Sequence, residues 1–435
     1  MRTRRMMVAA GLALCMAMVL VPLVASAATE AEKQAAIDKA LVRLALDQTA
    51  GGYWNYGGYE VASTGAAALA FEGQGFYAGS NVIINAVNYG DVVGKAIDYI
   101  TSQTIRTTAA EMATKPTADA YGANGYGVHW DQGGEDIYSS GIASLALAFS
   151  NQPARVVNNG TEVGRTIKDV VGDSVDYFAL AQVTLAQATI GGNVGYEGGW
   201  RYAFPSNDAD NSTSQWPVIA MEAAANKMGI NAPAFVKSEL AKWVAFIQDP
   251  VSGGSGYNLP SGGIVQIDEA KTGGLLVEMS YLGYTTANLN VQAAINYLNA
   301  RFLNPANSTW NGDFGHPYAM WSIYKGLQGM IGLDVTNLQF ITNLHADPGD
   351  INNPNHGYNW WEDYCEYLVS TQNGDGSWNG YTSYWTGPLA TAWYTNILLA
   401  TQVVGPVIPE PLTCGALMLG LGGLFGYIRR RRLAA

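Results

Sequence analysis

The sequence has 435 residues, of which 48% are hydrophobic and 13% charged, and its formal net charge is −12 at pH 7. Residues 28–408 contain 34 Asp and Glu against 16 Lys and Arg, so this segment carries a charge of −18. Such acidity argues against a nucleic-acid partner, because phosphate binding needs a basic surface. The chain has 3 cysteines, and Cys365 is the only one in that segment, which excludes a disulfide framework and a cysteine-rich metal site.

The N-terminal residues have the order of a secretory signal peptide. Three arginines within the first five residues precede an apolar run that ends at Val24. Small residues at Ala25, Ser26 and Ala27 then provide a cleavage site. We predict that residues 1–27 are removed and that the rest of the chain is exported.

Six pairs of helix-like segments follow. The first helix of each pair is amphipathic, with apolar residues at i, i+3 and i+4. The second is richer in alanine, and many begin with Ser or Thr, which can cap a first turn. The first helices read AAIDKALVRLALDQ, VVGKAIDYITSQ, VVGDSVDYFALAQ, VKSELAKWVAFIQ, VQAAINYLNARF and YCEYLVSTQ. The pattern predicts an all-α fold.

Each pair is joined by a glycine-rich turn that contains an aromatic residue. The six anchor aromatics, which we expect to cover the end of the preceding helix, are Trp54, Trp130, Trp200, Tyr257, Trp310 and Trp378. Their separations range from 53 to 76 residues. This irregularity rules out a short solenoid repeat and fits a ring of helical hairpins with variable loops.

Two of these turns share a longer motif, Gln-x3-Gly-x-Trp, at Gln48–Trp54 and Gln372–Trp378. This motif resembles the QW motif of the prenyltransferase and squalene–hopene cyclase toroids. The resemblance implies that residues 28–405 form an α/α toroid of six inner and six outer helices. Two units depart from it, because Phe302 stands at the glutamine position of the fifth and Gln103 is shifted in the second.

The third unit contains an acidic turn, Asp208-Ala209-Asp210-Asn211. It resembles the Asp-x-Asp-Asp motif of class II terpene cyclases, which implies Asp210 as a proton donor, although Asn211 replaces the last carboxylate. The alternatives are a helix cap and a calcium-binding turn at Asp208 and Asp210, since Ca²⁺ prefers oxygen ligands at such spacing. Arg201 is a candidate ligand-binding residue that could also pair with either aspartate.

Carboxylates also precede other inner helices and are expected on one rim of the ring. Glu135, with Asp136 beside it, and Asp268, with Glu269 beside it, are candidates for the acid and base of a polysaccharide hydrolase or lyase, as is Asp313. The alternative is that they stabilise helix N-termini through the helix dipole. Aromatic residues outside the repeated positions are expected on the same rim as sugar-binding platforms. They are Trp360, Trp361 and Trp385. The four scattered histidines predict no metal site.

Residues 406–435 have three parts. A Pro-Glu-Pro sequence precedes a short apolar helix, Leu412–Ile428, which a cluster of arginines follows. This order resembles the PEP-CTERM sorting signal that exosortase recognises and cleaves. The resemblance implies anchoring in the inner membrane of a Gram-negative bacterium, then transfer to the cell surface or extracellular matrix. An ordinary single-span anchor is the alternative. The residues concerned are Pro409, Glu410, Pro411, Arg429, Arg430, Arg431 and Arg432.

Three functions remain compatible with the sequence. The first is a non-catalytic module that binds or scaffolds envelope components or extracellular polysaccharide. The second is a carbohydrate-active hydrolase or lyase, and the third is a terpene cyclase relative with Asp210 as donor. No cofactor is predicted apart from the calcium candidate at Asp208 and Asp210. An open acidic cleft would favour an enzyme, whereas a filled ring centre would favour binding.

Overall fold

The structure, a computed structural model, describes residues 28–261, 267–304, 313–333, 339–344, 359–381 and 385–402. The predicted signal peptide, the whole of the sorting signal and the anchor Trp310 lie outside these ranges. Among the residues described, no helix combines the length and hydropathy that a membrane span requires.

The described chain is mostly helical, which confirms the all-α class. The helices are α1 (Glu30–Asp47), α2 (Glu60–Gly73), α3 (Tyr89–Ser102), α4 (Ala109–Met112), α5 (Asp136–Phe149), α6 (Ile167–Ala181), α7 (Leu185–Ile190), α8 (Asn211–Met228), α9 (Ala234–Ile247), α10 (Glu269–Tyr281), α11 (Leu289–Arg301), α12 (Pro317–Ile331), α13 (Trp360–Thr371) and α14 (Gly387–Leu398). Two short antiparallel pairs accompany them, β1 (Ile83–Ile84) with β2 (Val87–Asn88) and β3 (Ile105–Arg106) with β4 (Val128–His129).

The more apolar helix of each predicted pair is buried and packs on its counterparts in a closed order. Helix α2 contacts α5, and the series continues through α8, α10, α12 and α14, which returns to α2. Close approach depends on small residues. A Cβ at Gly141 of α5 would lie 2.7 Å from the Cβ of Trp216, and one at Gly273 of α10 would lie 2.6 Å from the backbone nitrogen of Ile323.

The amphipathic helices α1, α3, α6, α9, α11 and α13 pack outside these buried helices. In α1, for example, Ile37, Leu41 and Leu44 are buried while Asp38 and Lys39 face solvent. The buried face follows the i, i+3, i+4 pattern of the sequence in α1, α3, α9, α11 and α13, whereas α6 is buried on nearly all sides.

We call the glycine-rich turn within each pair a corner, the buried helices inner and the amphipathic helices outer. Tryptophans at four corners make the same two hydrogen bonds. Each indole N–H donates to a backbone carbonyl in the last turn of the preceding outer helix, and each backbone N–H donates to a Ser or Thr hydroxyl of the following inner helix. The indole pairs are Trp54 with Leu44 (2.7 Å), Trp130 with Ile100 (2.7 Å), Trp200 with Phe178 (2.8 Å) and Trp378 with Leu368 (2.8 Å). The hydroxyl partners are Thr64, Ser140, Ser214 and Thr391. The tryptophans therefore join outer and inner helices as core residues.

Glutamines at the ends of four outer helices link each of them to the next. Each side-chain amide donates to the carbonyl of a corner glycine and to a carbonyl in the following outer helix or at its start. The second acceptors are Val92 for Gln48 (2.8 Å), Val236 for Gln182 (3.0 Å), Asn290 for Gln248 (2.8 Å) and Ala36 for Gln372 (2.8 Å). The bond from Gln372 to Ala36 connects the last outer helix to the first.

The fourth corner corrects one prediction, because Tyr257 is not its anchor. A Cβ at Gly253, which has φ +80°, would lie 2.7 Å from the backbone of Ala293, and one at Gly376, which has φ +89°, would lie 2.3 Å from the carbonyl oxygen of Lys39. In both corners the residue two positions later donates its backbone N–H to a threonine of the inner helix. That residue is Ser255, whose N–H bonds Thr272 at 3.0 Å. Tyr257 therefore lies outside the repeated corner contacts.

Side chains from non-adjacent inner helices meet in the middle of this closed order. The rings of Trp216 and Trp393 lie 5.8 Å apart, and those of Trp321 and Trp393 lie 4.6 Å apart. The Nζ atom of Lys325 lies 4.4 Å from the centre of the Trp216 ring and 2.9 Å from Oε1 of Gln215. Burial lowers the pKa of Lys325 well below its usual range. Aromatic and amide side chains therefore fill the space between α8, α12 and α14.

Candidate functional site: an aromatic rim

Aromatic side chains connect the N-terminal ends of α5, α8, α12 and α14 with their preceding loops. Ring centres of neighbouring members lie 5.0–6.4 Å apart, and the Tyr202 and Tyr257 hydroxyls are hydrogen-bonded. We call this group the tyrosine rim; its members are Tyr138, Tyr202, Tyr257, His316, Tyr318, Tyr381 and Trp385, with Trp216 beneath them. Tyr138, Tyr202, Tyr257 and Tyr381 are half-buried residues, whereas the other members are buried.

Arg201 lies beside this rim and is held by the acidic turn. Its Nη1 atom donates to Oδ2 of Asp210 at 3.0 Å, and its Nε atom lies 3.6 Å from Oδ2 of Asp208. The guanidinium carbon lies 4.5 Å from the centre of the Tyr202 ring and 5.3 Å from that of Tyr257. The arginine therefore supports two rim tyrosines while both aspartates engage it. A calcium ion at Asp208 and Asp210 would have to compete with this guanidinium.

Asp210 is the N-cap of α8 and is completely buried. Its carboxylate accepts hydrogen bonds from the backbone N–H groups of Ser212 (2.8 Å) and Thr213 (3.0 Å) and from the Thr213 hydroxyl (3.1 Å). Burial raises the pKa of Asp210, whereas Arg201 and the capping donors act in the opposite direction. The geometry that a helix cap requires thus occupies most of its lone pairs.

Asn211 explains why the acidic turn departs from the terpene cyclase motif. Its amide nitrogen donates to Ser255 (2.8 Å) and to the carbonyl of Lys271 (2.9 Å), and its amide oxygen accepts from the Trp243 indole (3.1 Å). A carboxylate could accept the last bond but could not donate the first two. The amide is therefore required by the packing of α8, α9 and α10.

Asp268 and Glu135 begin two other inner helices. Asp268 caps α10 by accepting the N–H of Lys271 at 2.8 Å, and it forms a buried ion pair with the Lys271 ammonium. Burial raises the pKa of Asp268, and Lys271 opposes this shift. Glu135 is half-buried, accepts no side-chain hydrogen bond from the described residues, and has its pKa raised by burial and by the charge of Asp210. The structure thus brings Glu135 close to Asp210, while Lys271 binds Asp268.

A second group of titratable side chains lies at the start of α5. Asp136 is 3.7 Å from Nδ1 of His129 and accepts a 3.5 Å hydrogen bond from the Tyr177 hydroxyl, while the His129 ring stacks on Tyr177 at 4.6 Å. Burial and the neighbouring Asp131 raise the pKa of Asp136 to about 7. We call these four residues the Asp136 cluster. A carboxyl that titrates near neutrality can act as a general acid or base.

Glu269 and Asp313 form a further pair of buried carboxyls. Asn304 donates to Glu269 at 3.2 Å. Burial raises the pKa of both groups; the charge of Glu269 adds to the shift at Asp313, and the charge of Asp268 adds to the shift at Glu269.

Two predicted platform residues are placed elsewhere than expected. Trp360 is fully buried and donates to the carbonyl of Gly332, just after α12 ends. Trp361 donates to the carbonyl of Ile397, near the end of α14, and packs against Lys33. Both lie where inner helices end, opposite the tyrosine rim, so their expected place on that rim was wrong. Trp385 does belong to the rim, 5.0 Å from Tyr318.

The sequence interpretation missed Tyr257, Tyr318 and His129 as site residues. Tyr257 occupied what looked like a repeat position, and an alignment of corners on glycine rather than on aromatic residues would have separated it from Ser255. Nothing local distinguishes Tyr318 from a core tyrosine. His129 meets Asp136 and Tyr177 only because α6 packs on β4 and α5.

Comparisons with known proteins add little. No family model matches the chain, and no curated protein matches it. Among solved structures, a crystal structure of a protein from Actinoplanes is similar with a TM-score of 0.42 and 11% sequence identity, covering 85% of this chain and 99% of that one. That similarity is too distant to support an argument about fold or function.

Proposed function

We propose that this protein is an exported α/α toroid of six helical hairpins that binds extracellular polysaccharide without cleaving it. The toroid is supported by the closed order of contacts among the inner helices and by the Gln372 bond to the first outer helix. The proposed body spans residues 28–405. The central observation for binding is the tyrosine rim, where half-buried aromatic residues of α5 and of three loops lie together at the N-terminal ends of the inner helices.

Aromatic rings at a surface suit polysaccharide, because a phenol offers an apolar face to a sugar ring and a polar tip to its hydroxyls. The filled ring centre supports binding at the rim rather than chemistry in a deep cavity. The hydrogen-bond and ion-pair partners of Asp210 and Asp268 also argue against catalysis by these two carboxyls, because a buried cap and a buried ion pair are costly to break.

Export and display follow from the two ends of the sequence. In the proposal, residues 1–27 direct secretion, and residues 406–435 anchor the protein in the inner membrane until an exosortase-type enzyme cleaves them. The body then reaches the cell surface or extracellular matrix of a Gram-negative bacterium. Mass spectrometry of the secreted protein tests this, with a start at Ala28 and loss of the arginine cluster expected. A mature chain that keeps Arg429–Arg432 would refute the processing step.

Native gel electrophoresis in the presence of polysaccharide tests the binding. We expect the purified full-length protein to migrate more slowly in gels that contain a polysaccharide ligand. The substitution Tyr257→Ala should abolish the retardation, whereas Trp361→Phe, at the opposite end of the inner helices, should preserve it. Unchanged migration in every polysaccharide would refute the proposal.

A hydrolase or lyase is the second candidate, and the Asp136 cluster favours it. A carboxyl with a pKa of about 7 beside a histidine and a tyrosine could transfer protons at neutral pH. This candidate predicts release of oligosaccharides, detected as reducing ends or as unsaturated products. Loss of that activity in both Asp136→Asn and His129→Gln would support it, and no release by the wild-type protein would refute it.

A further inference from the structure

We infer that the tyrosine rim takes an uncharged polysaccharide rather than one that carries uronate or amino groups. This inference rests on the proposed function and adds the chemical class of the ligand. It follows from how the charged groups of the rim are already paired with one another.

Arg201, beside the rim, is the residue whose chemistry best suits a uronate carboxylate, because a guanidinium binds carboxylates through two parallel N–H groups. A guanidinium has two such donor edges, one that includes Nη1 and one that includes Nε. The structure engages Nη1 with Asp210 at 3.0 Å and brings Nε within 3.6 Å of Asp208. Each edge therefore already has a carboxylate at one of its nitrogens, which a ligand carboxylate would have to displace or share. The guanidinium instead packs against Tyr202 and Tyr257.

Lys271, the other cation near these tyrosines, is equally committed. Its side chain is 4% exposed, its ammonium is paired with Asp268, and it lies 5.8 Å from the centre of the Tyr257 ring. Two cations therefore face three carboxylates, and Glu135 adds a fourth acidic group nearby. With a charge of −18 on residues 28–408, the surface would repel a polyanion rather than attract it.

A cationic polymer is disfavoured for a different reason. Asp210 is paired with Arg201 and Asp268 with Lys271, so an amino sugar that binds either of these carboxylates would have to break a partly or fully buried pair. Burial also raises the pKa of Glu135, which reduces its value as an anionic partner. What the rim offers a ligand is the surface of its half-buried tyrosines, whose rings pack against the apolar faces of sugars. The Tyr202 and Tyr257 hydroxyls are already hydrogen-bonded to each other.

The test is native electrophoresis of the full-length protein in gels containing galactomannan, β-glucan or dextran, compared with alginate and chitosan, at 20 and 500 mM NaCl. We expect retardation by at least one uncharged polymer, unchanged within about twofold between the two salt concentrations, since salt screens only charge interactions. No retardation is expected in alginate. Retardation by chitosan at 20 mM NaCl would come from the acidic surface and should disappear at 500 mM NaCl.

The substitution Asp208→Asn provides a more specific test, because it removes the carboxylate that faces the Nε edge of Arg201, which is partly exposed. This variant should gain retardation in alginate at 20 mM NaCl that is lost at 500 mM. The matched variant Asp91→Asn, an exposed residue of α3, makes the same change in net charge and should gain nothing.

Two outcomes separate the inference from the function on which it rests. Stronger retardation of the wild-type protein by alginate at either salt concentration, or by chitosan at 500 mM NaCl, than by all uncharged polymers would overturn the inference and leave polysaccharide binding standing. Absence of retardation in all five polymers at 500 mM NaCl would overturn both.

Discussion

The corners of the helical pairs repeat the same contacts, whereas the tyrosine rim does not. At four corners the same tryptophan hydrogen bonds recur with nearly the same distances, 2.7–2.8 Å for the indole, and the side chains are buried. At the rim the second to sixth units contribute aromatic residues from different positions, the first contributes none, and four of the tyrosines are half-buried. The repeated residues therefore hold the helices together, and the residues that differ between units form the surface where a ligand can bind.

The largest effect on stability is expected when a corner tryptophan is removed. Trp200→Ala deletes a fully buried indole and its bond to Phe178, so we expect a loss of roughly 3–5 kcal/mol in the free energy of unfolding. Urea denaturation followed by circular dichroism measures it. A loss below ~1 kcal/mol would show that the corner is not part of the core.

The link between the last and first outer helices can be tested separately. Gln372→Met removes two hydrogen bonds and leaves the carbonyls of Ala36 and Gly376 without that donor, which should cost about 2–3 kcal/mol. The control is Gln103→Met, because Gln103 is exposed and its side chain bonds only its neighbour Ser102 among the described residues. We expect it to change stability by less than ~0.5 kcal/mol. Equal effects would contradict the assigned link.

The Asp136 cluster predicts a pH dependence. Burial raises the folded-state pKa of Asp136 to about 7, above its unfolded value. Its contribution to stability is therefore fully present below the unfolded pKa and is lost as pH rises through about 7. Asp136→Asn should remove this dependence, so wild type should lose about 1–3 kcal/mol more than the variant between pH 4 and pH 8. Asp91→Asn serves as the exposed control, and parallel stability curves for wild type and Asp136→Asn would refute the assignment.

Rim substitutions should have the smallest effect on stability. Tyr257 is half-buried and lies outside the repeated corner contacts, so Tyr257→Ala should cost no more than ~1.5 kcal/mol. A loss comparable to that of Trp200→Ala would place Tyr257 among the corner residues after all. The same denaturation experiment compares the two variants directly.

Several parts of the fold could be predicted from the sequence, for a physical reason. Gln372–Trp378 places the bonding groups of a corner within seven residues, so the motif alone indicates the local structure. The fourth corner was misassigned because its anchor role is played by a backbone N–H, that of Ser255, which any residue can supply. A pattern of side chains cannot reveal such a position.

The site was less predictable because its residues meet through packing. Asp208, Asp210 and Arg201 are near in sequence, and the structure brings them together. Tyr257 reaches Tyr202 only through the packing of α8 and α10, and Asp136 reaches Tyr177 only through α6. Trp360 and Trp361 were expected on the rim because they are aromatic and outside the repeat, but they begin an outer helix and so lie where inner helices end.

Calorimetric titration of a soluble galactomannan or β-glucan oligosaccharide into wild type, Tyr257→Ala and Trp361→Phe tests the central claim most directly. The account predicts binding by wild type and Trp361→Phe with similar Kd, and at least a tenfold weaker Kd for Tyr257→Ala, which corresponds to about 1.4 kcal/mol. Binding that Tyr257→Ala leaves unchanged, or that Trp361→Phe abolishes, would contradict the assignment of the tyrosine rim as the binding surface.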